Sequence, residues 1–248
     1  MPSPRTLVKD LLLKRGVALS RPPGQFNVED HRLRRARALG LDVRVAVDGG
    51  AASGDWTRQL KSIYPDARVL CVEPRDDAQA ALRATASELP GVQVAQTLIS
   101  AAEGEVTFHQ NREQSSILAD PDAPPAAGGV PTPTTTLDAL VTKLGLPDPD
   151  LIKLDLQGAE LLALDGAARC LRTAQAVLLE VSFIPFLKDI PLVADVVPYM
   201  SARGFRVYDI VALWHRPLDG ALAQGDVLFV SEKSKLLADP RWDIKSAV

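Results

Sequence analysis

Glycines and a carboxylate follow a short apolar run near residue 45. The stretch from 45 to 55 reads Val-Ala-Val-Asp-Gly-Gly-Ala-Ala-Ser-Gly-Asp, so that Asp48 ends the apolar run and Gly50 and Gly54 lie in the turn that follows. Only small residues let a ligand come close to the backbone, and a helix that starts after such a turn directs free N–H groups towards it. The pattern predicts a ligand-binding turn between a buried strand and a helix that begins at Asp55.

A second carboxylate, Glu73, ends the next apolar run. It follows the glycine turn by about 20 residues, the offset at which an acid binds ribose hydroxyls in nucleotide-binding βαβ units. The glycines do not have the G-x-G-x-x-G spacing of dinucleotide sites, since Gly49 and Gly50 are adjacent. Asp48 would repel a pyrophosphate, but it would attract a ligand that carries an ammonium and a sulfonium. Together these features predict a site for a nucleoside cofactor.

Short β-branched runs alternate with helix-like stretches from residue 43 onwards, which is typical of a parallel sheet with crossover helices. The runs predict strands over 43–48, 68–73, 92–97, 104–109, 151–155 and 176–181. The periodicity predicts helices over 55–63, 76–88, 136–144, 158–172 and 191–203. Strands over 205–213 and 226–231 are separated by about a dozen residues, too few for a crossover helix, so they should pair antiparallel. The predicted fold is α/β and doubly wound.

Two further helices, over 6–19 and 27–39, are predicted before the first strand. We therefore expect a helical extension over 1–42 and one domain over 43–248. Prolines and glycines between 120 and 133 indicate a loop inside that domain. Charged residues interrupt the apolar ones near the N-terminus, and no run of about 18 apolar residues occurs, so neither an export signal nor a membrane span is expected. The expected location is the cytoplasm.

The composition argues against several kinds of partner and site. Lys and Arg number 28 against 31 Asp and Glu, which gives a formal charge of -3 and no excess of positive charge for a phosphate backbone. Aromatic residues make up 5% of the chain, which disfavours a base-stacking surface. The two cysteines have no Cys or His nearby at metal-ligand spacing, so we expect no structural zinc and no bound metal. Nucleic acid and membranes are not expected partners.

Four blocks of sequence resemble those of one enzyme family. They are Asp48-x-Gly50-Ala51-x-x-Gly54, Val72-Glu73-Pro74, Thr136-Leu137-Asp138-Ala139-Leu140 and the segment 152–160, which reads Ile-Lys-Leu-Asp-Leu-Gln-Gly-Ala-Glu. On these blocks the chain resembles the FkbM-type family of S-adenosylmethionine-dependent methyltransferases, roughly over residues 43 to 231. The last block is the specific part, whereas the glycine turn is shared by class I methyltransferases in general.

The resemblance implies a class I methyltransferase fold, which is Rossmann-like, with a mostly parallel seven-stranded sheet whose last strand is antiparallel. It also implies that S-adenosylmethionine is the cofactor. Asp48 and the backbone of 50–54 would hold its methionine part, Glu73 its ribose hydroxyls, and Leu98 or Ile99 its adenine. The full set of implied cofactor-binding residues is Asp48, Gly50, Ala51, Ser53, Gly54, Glu73, Pro74, Leu98, Ile99 and Asp155.

Three side chains are candidate catalytic residues for methylation of a hydroxyl group, because a base that takes the hydroxyl proton speeds such a transfer. Asp155 is the first candidate, and Glu180 and His215 are the others. Glu180 could instead form an ion pair with Lys153. The implied partner is a small-molecule or glycan acceptor, such as a small metabolite, a sugar or a polyketide-like scaffold.

Two positions depart from the pattern of the family. Ala52 stands where Asn is common, and Gln157 stands where Glu is common. If that Glu were the base or a metal ligand of the family, this chain would lack it. The remaining candidates would then be Asp155, Glu160, Glu180, His109 and His215. Two other functions stay open, an NAD-dependent oxidoreductase and a methyltransferase-like binding domain without turnover.

Overall fold

The computed structural model describes residues 25–109, 115–118 and 129–241. Its elements, in chain order, are β1 (Gln25–Asn27), α1 (Glu29–Ala38), β2 (Val45–Gly49), α2 (Asp55–Ile63), β3 (Arg68–Val72), α3 (Asp76–Glu88), β4 (Val92–Ala95), β5 (Leu98–Ile99), β6 (Gly104–Phe108), β7 (Val130–Thr135), α4 (Leu137–Lys143), β8 (Leu151–Leu154), α5 (Glu160–Asp165), α6 (Ala168–Thr173), β9 (Ala176–Ser182), α7 (Val193–Ala202), β10 (Phe205–His215), β11 (Leu222–Ser231) and a short 3-10 helix (Lys235–Leu237). Across these ranges no helix combines the length and the apolar character that crossing a bilayer would require.

Eight strands form the main sheet, in the order β1-β10-β11-β9-β8-β2-β3-β4. The strands from β9 to β4 are parallel neighbours, whereas β11 runs antiparallel to both β9 and β10. This confirms the predicted doubly wound α/β fold with an antiparallel last strand. The eighth strand is β1, which was not predicted and which pairs antiparallel with β10 at the edge.

Helices cover both faces of this sheet, because its central strands are buried on both sides and successive side chains point to opposite faces. On one face, Val47 and Ile152 pack with residues of α4 to α7, such as Leu164. On the other face, Ala46 packs with residues of α1 to α3, such as Leu60. The parallel strands therefore end together at one edge of a three-layer structure, where their carboxyl ends are open to a ligand.

The residues just before 43 belong to this core, in contrast to the predicted helical extension over 1–42. Helix α1 lies within the predicted helix 27–39, and its Leu33 and Ala36 are buried against the sheet. Strand β1 joins the same sheet through the pair Asn27 and Ala212. The helix predicted over 6–19 lies outside the described residues. Residues 1–24 lie outside the described part of the chain, so the division into an extension over 1–42 and a domain over 43–248 stays a prediction.

Two local predictions differ from the structure. Strand β7 occupies 130–135, part of which was predicted as loop, and it forms a three-stranded sheet in the order β5-β7-β6. The helix predicted over 158–172 is two helices, α5 and α6. They are separated near Gly166, where a Cβ atom would lie 2.1 Å from the Ser100 carbonyl oxygen. The backbone therefore passes very close to Ser100 at Gly166, and the helix is interrupted there.

Candidate active site

A cleft of about 500 Å³ lies at the carboxyl edge of the main sheet. In the sheet, β2 and β8 lie between β3 and β9. One end of the cleft is therefore formed by residues that follow β3, and the other end by residues of β9. The described residues that line it are Gly50, Ala52, Glu73, Pro74, Arg75, Leu98, Ile99, Phe108, Ser115, Ile117, Asp155, Leu156, Gln157, Ala159, Glu180, Trp214 and Gln224. Many of the predicted site residues are therefore brought together.

The glycine turn after β2 lies against the end of β8. The N–H groups of Gly50 and Ala51 donate to the Val72 carbonyl oxygen, at 2.9 and 3.1 Å. Gly50 has φ +74°, and a Cβ atom on it would lie 1.9 Å from the carbonyl oxygen of Asp155. No other residue type fits this position without displacing the backbone. Ala52 also has a left-handed backbone, with φ 45°, which is unfavourable for a residue with a Cβ atom.

Glu73 connects this turn to the segment after β3. Its Oε2 accepts from the Ala52 N–H at 2.8 Å, and its Oε1 accepts from the Arg75 N–H and Nε at 3.1 and 3.0 Å. Glu73 is almost fully buried, and it lines the same end of the cleft as the apolar Leu98 and Ile99. An apolar wall beside a fixed carboxylate is suitable for a nucleoside, with the base against the wall and the hydroxyls on the acid.

Asp48 lies behind the glycine turn. Its side chain is fully buried, and its Oδ2 accepts from the Thr57 hydroxyl at 2.7 Å while its Oδ1 lies 3.3 Å from Lys153 Nζ. It is not among the described residues that line the cleft. A buried carboxylate needs a counter-charge and hydrogen bonds. Lys153 supplies the charge and Thr57 the hydrogen bond to Oδ2, whereas Oδ1 has no hydrogen-bond partner among the described residues. Asp48 therefore supports the turn from behind, and its contact with the methionine part of the cofactor stays a prediction.

Three further residues of the turn do not line the cleft either. Ala51 packs in the apolar core, and Ser53 donates to Asp55 at 2.8 Å. Gly54 faces α3, where a Cβ atom on it would lie 2.8 Å from Thr85 Cγ2. In the described part of the chain, the turn meets the cleft through Gly50 and Ala52.

The opposite end of the cleft is acidic. Gln157 donates from Nε2 to Asp155 Oδ1 at 3.0 Å and to Glu180 Oε2 at 2.8 Å, so one amide links the two carboxylates. Gln224 donates to the same Glu180 oxygen at 2.7 Å. Two of the predicted catalytic residues are thus joined by a residue that the sequence marked only as a departure, and Trp214 lines the cleft beside them.

Lys153 lies beside the acidic end of the cleft, but its closest acidic partners do not include Glu180, the partner that was expected. Its Nζ lies 3.3 Å from Asp48 Oδ1 and 3.7 Å from Asp155 Oδ2, rather than in an ion pair with Glu180. Burial by itself would lower the pKa of the amine, but the attraction of Asp48, Asp155 and Asp226 outweighs it and holds the pKa above its usual value. The lysine therefore stays charged and neutralises part of a larger group of acids.

Glu160 shapes the loop that carries Gln157. Its Oε1 accepts from the N–H groups of Leu156 at 2.7 Å and Gly158 at 3.2 Å. Burial raises the pKa of Glu160 to about 7, although these bonds favour the charged form. Gln157 itself has φ 51° in this loop. Glu160 is thus a residue that fixes the loop, and it is not among the described lining residues.

The two candidate histidines are also not among the described lining residues. His215 ends β10 and pairs with Leu222 across the hairpin, and His109 forms a bridge with the backbone of Ser116. Three residues that were not predicted as site residues, Phe108, Trp214 and Gln224, do line the cleft. No local motif marks them, because strand pairing far along the chain brings them to the site.

Comparison with known proteins gives a family. Residues 48–207 match the model of the methyltransferase FkbM domain, which is more than half of the chain. The chain belongs to the FkbM methyltransferase family. The resemblance seen in the four sequence blocks is therefore confirmed, and with it S-adenosylmethionine as the cofactor of this methyltransferase domain.

Individual relatives of this FkbM domain are distant. The 2-O-methyltransferase NoeI of Sinorhizobium fredii (strain NBRC 101917 / NGR234) is 26% identical over 153 residues, which cover 56% of this chain and 63% of NoeI. The methyltransferase FkbM of Methylobacillus flagellatus KT is 16% identical with a TM-score of 0.49, over 75% of this chain and 43% of that one. Aeropyrum pernix fibrillarin, with natively bound S-adenosyl-L-methionine, is 15% identical with a TM-score of 0.44, over 79% and 74%. The chain thus spans less than two thirds of NoeI and of the Methylobacillus protein.

The residues of the FkbM domain fit this cofactor. Gly50 lines the cleft without a side chain, and Glu73 offers acceptors beside an apolar wall. At the acidic end, Gln157 Oε1 is buried and has no hydrogen-bond partner among the described residues. Groups of three or more His, Cys, Asp or Glu side chains arranged to hold a metal ion do not occur in the ranges that the structure describes.

Proposed function

We propose that this protein is an O-methyltransferase that uses S-adenosylmethionine to methylate a hydroxyl group of a small metabolite, a sugar or a polyketide-like scaffold. The observation that carries the proposal is the arrangement of Glu180. Both amide donors, from Gln157 and Gln224, bind its Oε2, and among the described residues no donor reaches Oε1. Because Glu180 lines the cleft, Oε1 is available to a hydroxyl of the acceptor.

The cofactor would lie between the two ends of the cleft. Glu73 would bind the ribose hydroxyls, Leu98 and Ile99 would pack on the adenine, and the backbone at Gly50 and Ala52 would hold the methionine part. When bound, the cofactor supplies a methyl group that is electrophilic because it is attached to a sulfonium.

The acidic end would then orient the acceptor and receive its proton. Burial, together with the nearby Asp155, raises the pKa of Glu180 well above its usual value, which makes its carboxylate a stronger base. Gln157 fixes the carboxylates of Asp155 and Glu180, and Trp214 provides a flat wall. Positioning of the acceptor contributes the larger part of the rate, and a well-placed base adds about 10²–10⁴-fold.

The relative NoeI is a 2-O-methyltransferase, which supports an oxygen atom as the acceptor. A carboxylate base fits this choice, because a hydroxyl needs its proton removed as it reacts. The predicted NAD-dependent reaction is less well supported, because the glycine spacing departs from that of dinucleotide sites.

Two measurements test the proposal. Isothermal titration calorimetry with S-adenosylmethionine and with NADH should show binding of the first only, and binding of NADH alone would overturn the proposal. A panel of hydroxyl, amine and thiol compounds incubated with methyl-labelled S-adenosylmethionine should then give labelled product from hydroxyl compounds. If the protein binds the cofactor, but label appears only in amines or thiols, the O-methyl assignment is wrong.

A further inference from the structure

Glu180 and Asp226 face each other across two neighbouring strands. They are direct partners in the antiparallel pairing of β9 with β11, and they lie on the same face of the sheet as Lys153, since Lys153 pairs with Leu178 two residues before Glu180. Opposed partners on one face have Cβ atoms only about 4.5–5.5 Å apart, and like charges there are unfavourable.

The surroundings of this pair, which we call the Glu180–Asp226 pair, are acidic on every side. The charged groups that act on it are Lys153 on β8, Asp155 after β8, Glu160 on α5 and Glu29 on α1. Lys153 is the only cation among them, and it lies within 4 Å of Asp48 and of Asp155. Both cleft amides bind Glu180, and within the described residues no donor reaches the Asp226 carboxylate.

Two carboxylates so placed do not both ionise at neutral pH in the absence of an additional cation. Burial raises the pKa of Asp226 to about 8, with Glu29 and Asp155 adding to the shift and Lys153 opposing it. Burial and the neighbouring acids also raise the pKa of Glu180. Both shifts favour a retained proton in the free site, and a positively charged ligand would oppose it.

A second observation points to a ligand at this end of the cleft. Gln157 is more than nine-tenths buried and lines the cleft, yet its Oε1 has no partner among the described residues. Its Nε2 is fixed by Asp155 and Glu180, so the amide cannot turn this oxygen towards another donor without losing both bonds. An unpaired buried acceptor is unfavourable by about 1–3 kcal/mol in general, and a ligand donor would relieve it.

We propose that the Glu180–Asp226 pair shares one proton in the free protein and releases it when a sulfonium enters the cleft, so that the site distinguishes S-adenosylmethionine from the neutral thioether S-adenosylhomocysteine. This inference rests on the proposed function. It concerns the charge of the cofactor rather than the identity of the acceptor.

The Glu180–Asp226 pair, which loses a proton when the sulfonium binds, regains one during the reaction. When the new C–O bond forms, the S–CH₃ bond breaks and its electron pair stays on sulfur, so the positive charge on sulfur disappears. The acceptor hydroxyl loses its proton to Glu180 in this step, and the pair again holds one proton beside a neutral product. The acceptor thus exchanges its proton for the methyl group. The positive charge lost from sulfur is matched by the negative charge that the carboxylate loses when it takes the proton.

Calorimetry in buffers of different ionisation enthalpy measures the number of protons exchanged on binding. At pH 7.5 we expect S-adenosylmethionine to release roughly 0.5–1 proton per site and S-adenosylhomocysteine close to none. Between pH 6.5 and 8.5 the Kd of S-adenosylmethionine should fall by about five- to twenty-fivefold relative to that of S-adenosylhomocysteine.

The Asp226→Asn variant should lose most of the difference between the two ligands, while Glu103→Gln, an exposed control, should behave as the unchanged protein. The amino groups of both ligands also titrate near this pH. For each ligand, the number of protons exchanged by the variant is therefore subtracted from the number exchanged by the unchanged protein, which removes the contribution of the ligand. Because Asp226 does not line the cleft among the described residues, this variant should still bind both ligands.

The outcomes separate this inference from the proposed function. If both ligands bind and exchange equal numbers of protons, or if Asp226→Asn changes nothing, the shared proton is refuted while the proposed function stands. If neither ligand binds the unchanged protein, the proposed function is wrong, and this inference falls with it.

Discussion

Gly50 approaches Asp155 so closely that a methyl group on its Cα would lie 1.9 Å from the Asp155 carbonyl oxygen. This contact joins the turn after β2 to the end of β8, where Asp155 N donates to the Gly49 carbonyl oxygen at 3.0 Å. The glycine turn after β2 and the acidic end of the cleft are therefore held together by backbone contacts. A change at Gly50 should affect folding and cofactor binding together.

Gly50→Ala should be strongly destabilising, because the new Cβ atom collides with backbone rather than with a flexible side chain. Gly220 provides a matched control, since it has the same φ of +74° with nothing within 4 Å of its Cβ position. Gly220→Ala should lower the free energy of unfolding only by the backbone strain, about 1–2 kcal/mol. Gly50→Ala should lose at least about 2 kcal/mol more, as measured by urea denaturation. If Gly50→Ala and Gly220→Ala lowered the free energy of unfolding equally, Gly50 would not lie against the Asp155 carbonyl.

Ala52 should be replaceable with a gain in stability. Its φ of 45° is unfavourable for alanine, whereas asparagine adopts this conformation more readily. Ala52→Asn should raise the free energy of unfolding by about 0.5–1 kcal/mol, and Ala52→Gly by less because glycine also gains freedom in the unfolded chain. Ala101→Asn, at an exposed turn position, is the control. A loss of stability in Ala52→Asn would contradict the left-handed backbone.

Much of the fold could be predicted, because the signals for it are local. Each central strand is a β-branched run, and each following helix has its own periodicity, so β2, β3, β8 and β9 are found within one or two residues of their bounds. Strand β7 was missed because Pro131 and Pro133 argue against a strand. These prolines are tolerated because β5 pairs only with Thr134 and Thr135. The edge of β7 that faces β5 therefore has no strand partner at Pro131 and Pro133, where proline has no N–H to donate. Such pairing is not visible in sequence.

The site was predicted in part for the same reason. Glu73 and Asp155 follow strand ends, and parallel strands bring their ends together. Asp48 lies near the end of β2, but the sequence does not show that Lys153 and Thr57 hold its carboxylate inside. Trp214 and Gln224 come from the terminal hairpin, and only the insertion of β11 beside β9 places them at the cleft.

Glu73→Ala should weaken binding of S-adenosylmethionine by about 1–3 kcal/mol, or about 5–150-fold in Kd. The loss has two causes, the missing acceptors for the ribose and the missing support for the Ala52 N–H. Glu73→Gln keeps an oxygen acceptor for Ala52 and should lose less. Glu88→Ala, which removes an exposed acid bound to Arg58, should leave Kd within about twofold. Calorimetry measures all three, and an unchanged Kd for Glu73→Ala would remove Glu73 from the site.

The stability of the protein should fall as pH rises from about 4 to about 8. The pKa values are raised by burial to about 8 for Asp226, to about 7 for Glu29 and to about 7 for Glu160, whereas these acids titrate near 4 in an unfolded chain. Between pH 4 and 8 the folded protein therefore holds protons that the unfolded chain has lost, and the free energy of unfolding decreases with pH. The stabilisation is fully present below the unfolded values and is lost as pH rises through the folded ones.

Urea denaturation between pH 5.5 and 8.5 should show a decrease on the order of 1–3 kcal/mol. Asp226→Asn should flatten this dependence and be more stable than the unchanged protein at pH 8.5, because the amide carries no charge to bury. Glu103→Gln, which changes an exposed acid, should follow the original curve. Stability that rises over this range would show that the acids are not buried as described.

Glu180→Gln should separate catalysis from cofactor binding, once the panel of hydroxyl compounds has given a methylated product. Removal of the base should lower turnover by about 10²–10⁴-fold, whereas the Kd of S-adenosylmethionine, which also depends on the charge of the Glu180–Asp226 pair, should change by about tenfold or less. Asp155→Asn should lower turnover less, by about tenfold, because it loosens Gln157 without removing the base. Asp66→Asn, an exposed change away from the cleft, is the control. If Glu180→Gln turns over at full rate and Asp155→Asn does not, then Asp155 rather than Glu180 receives the proton of the acceptor.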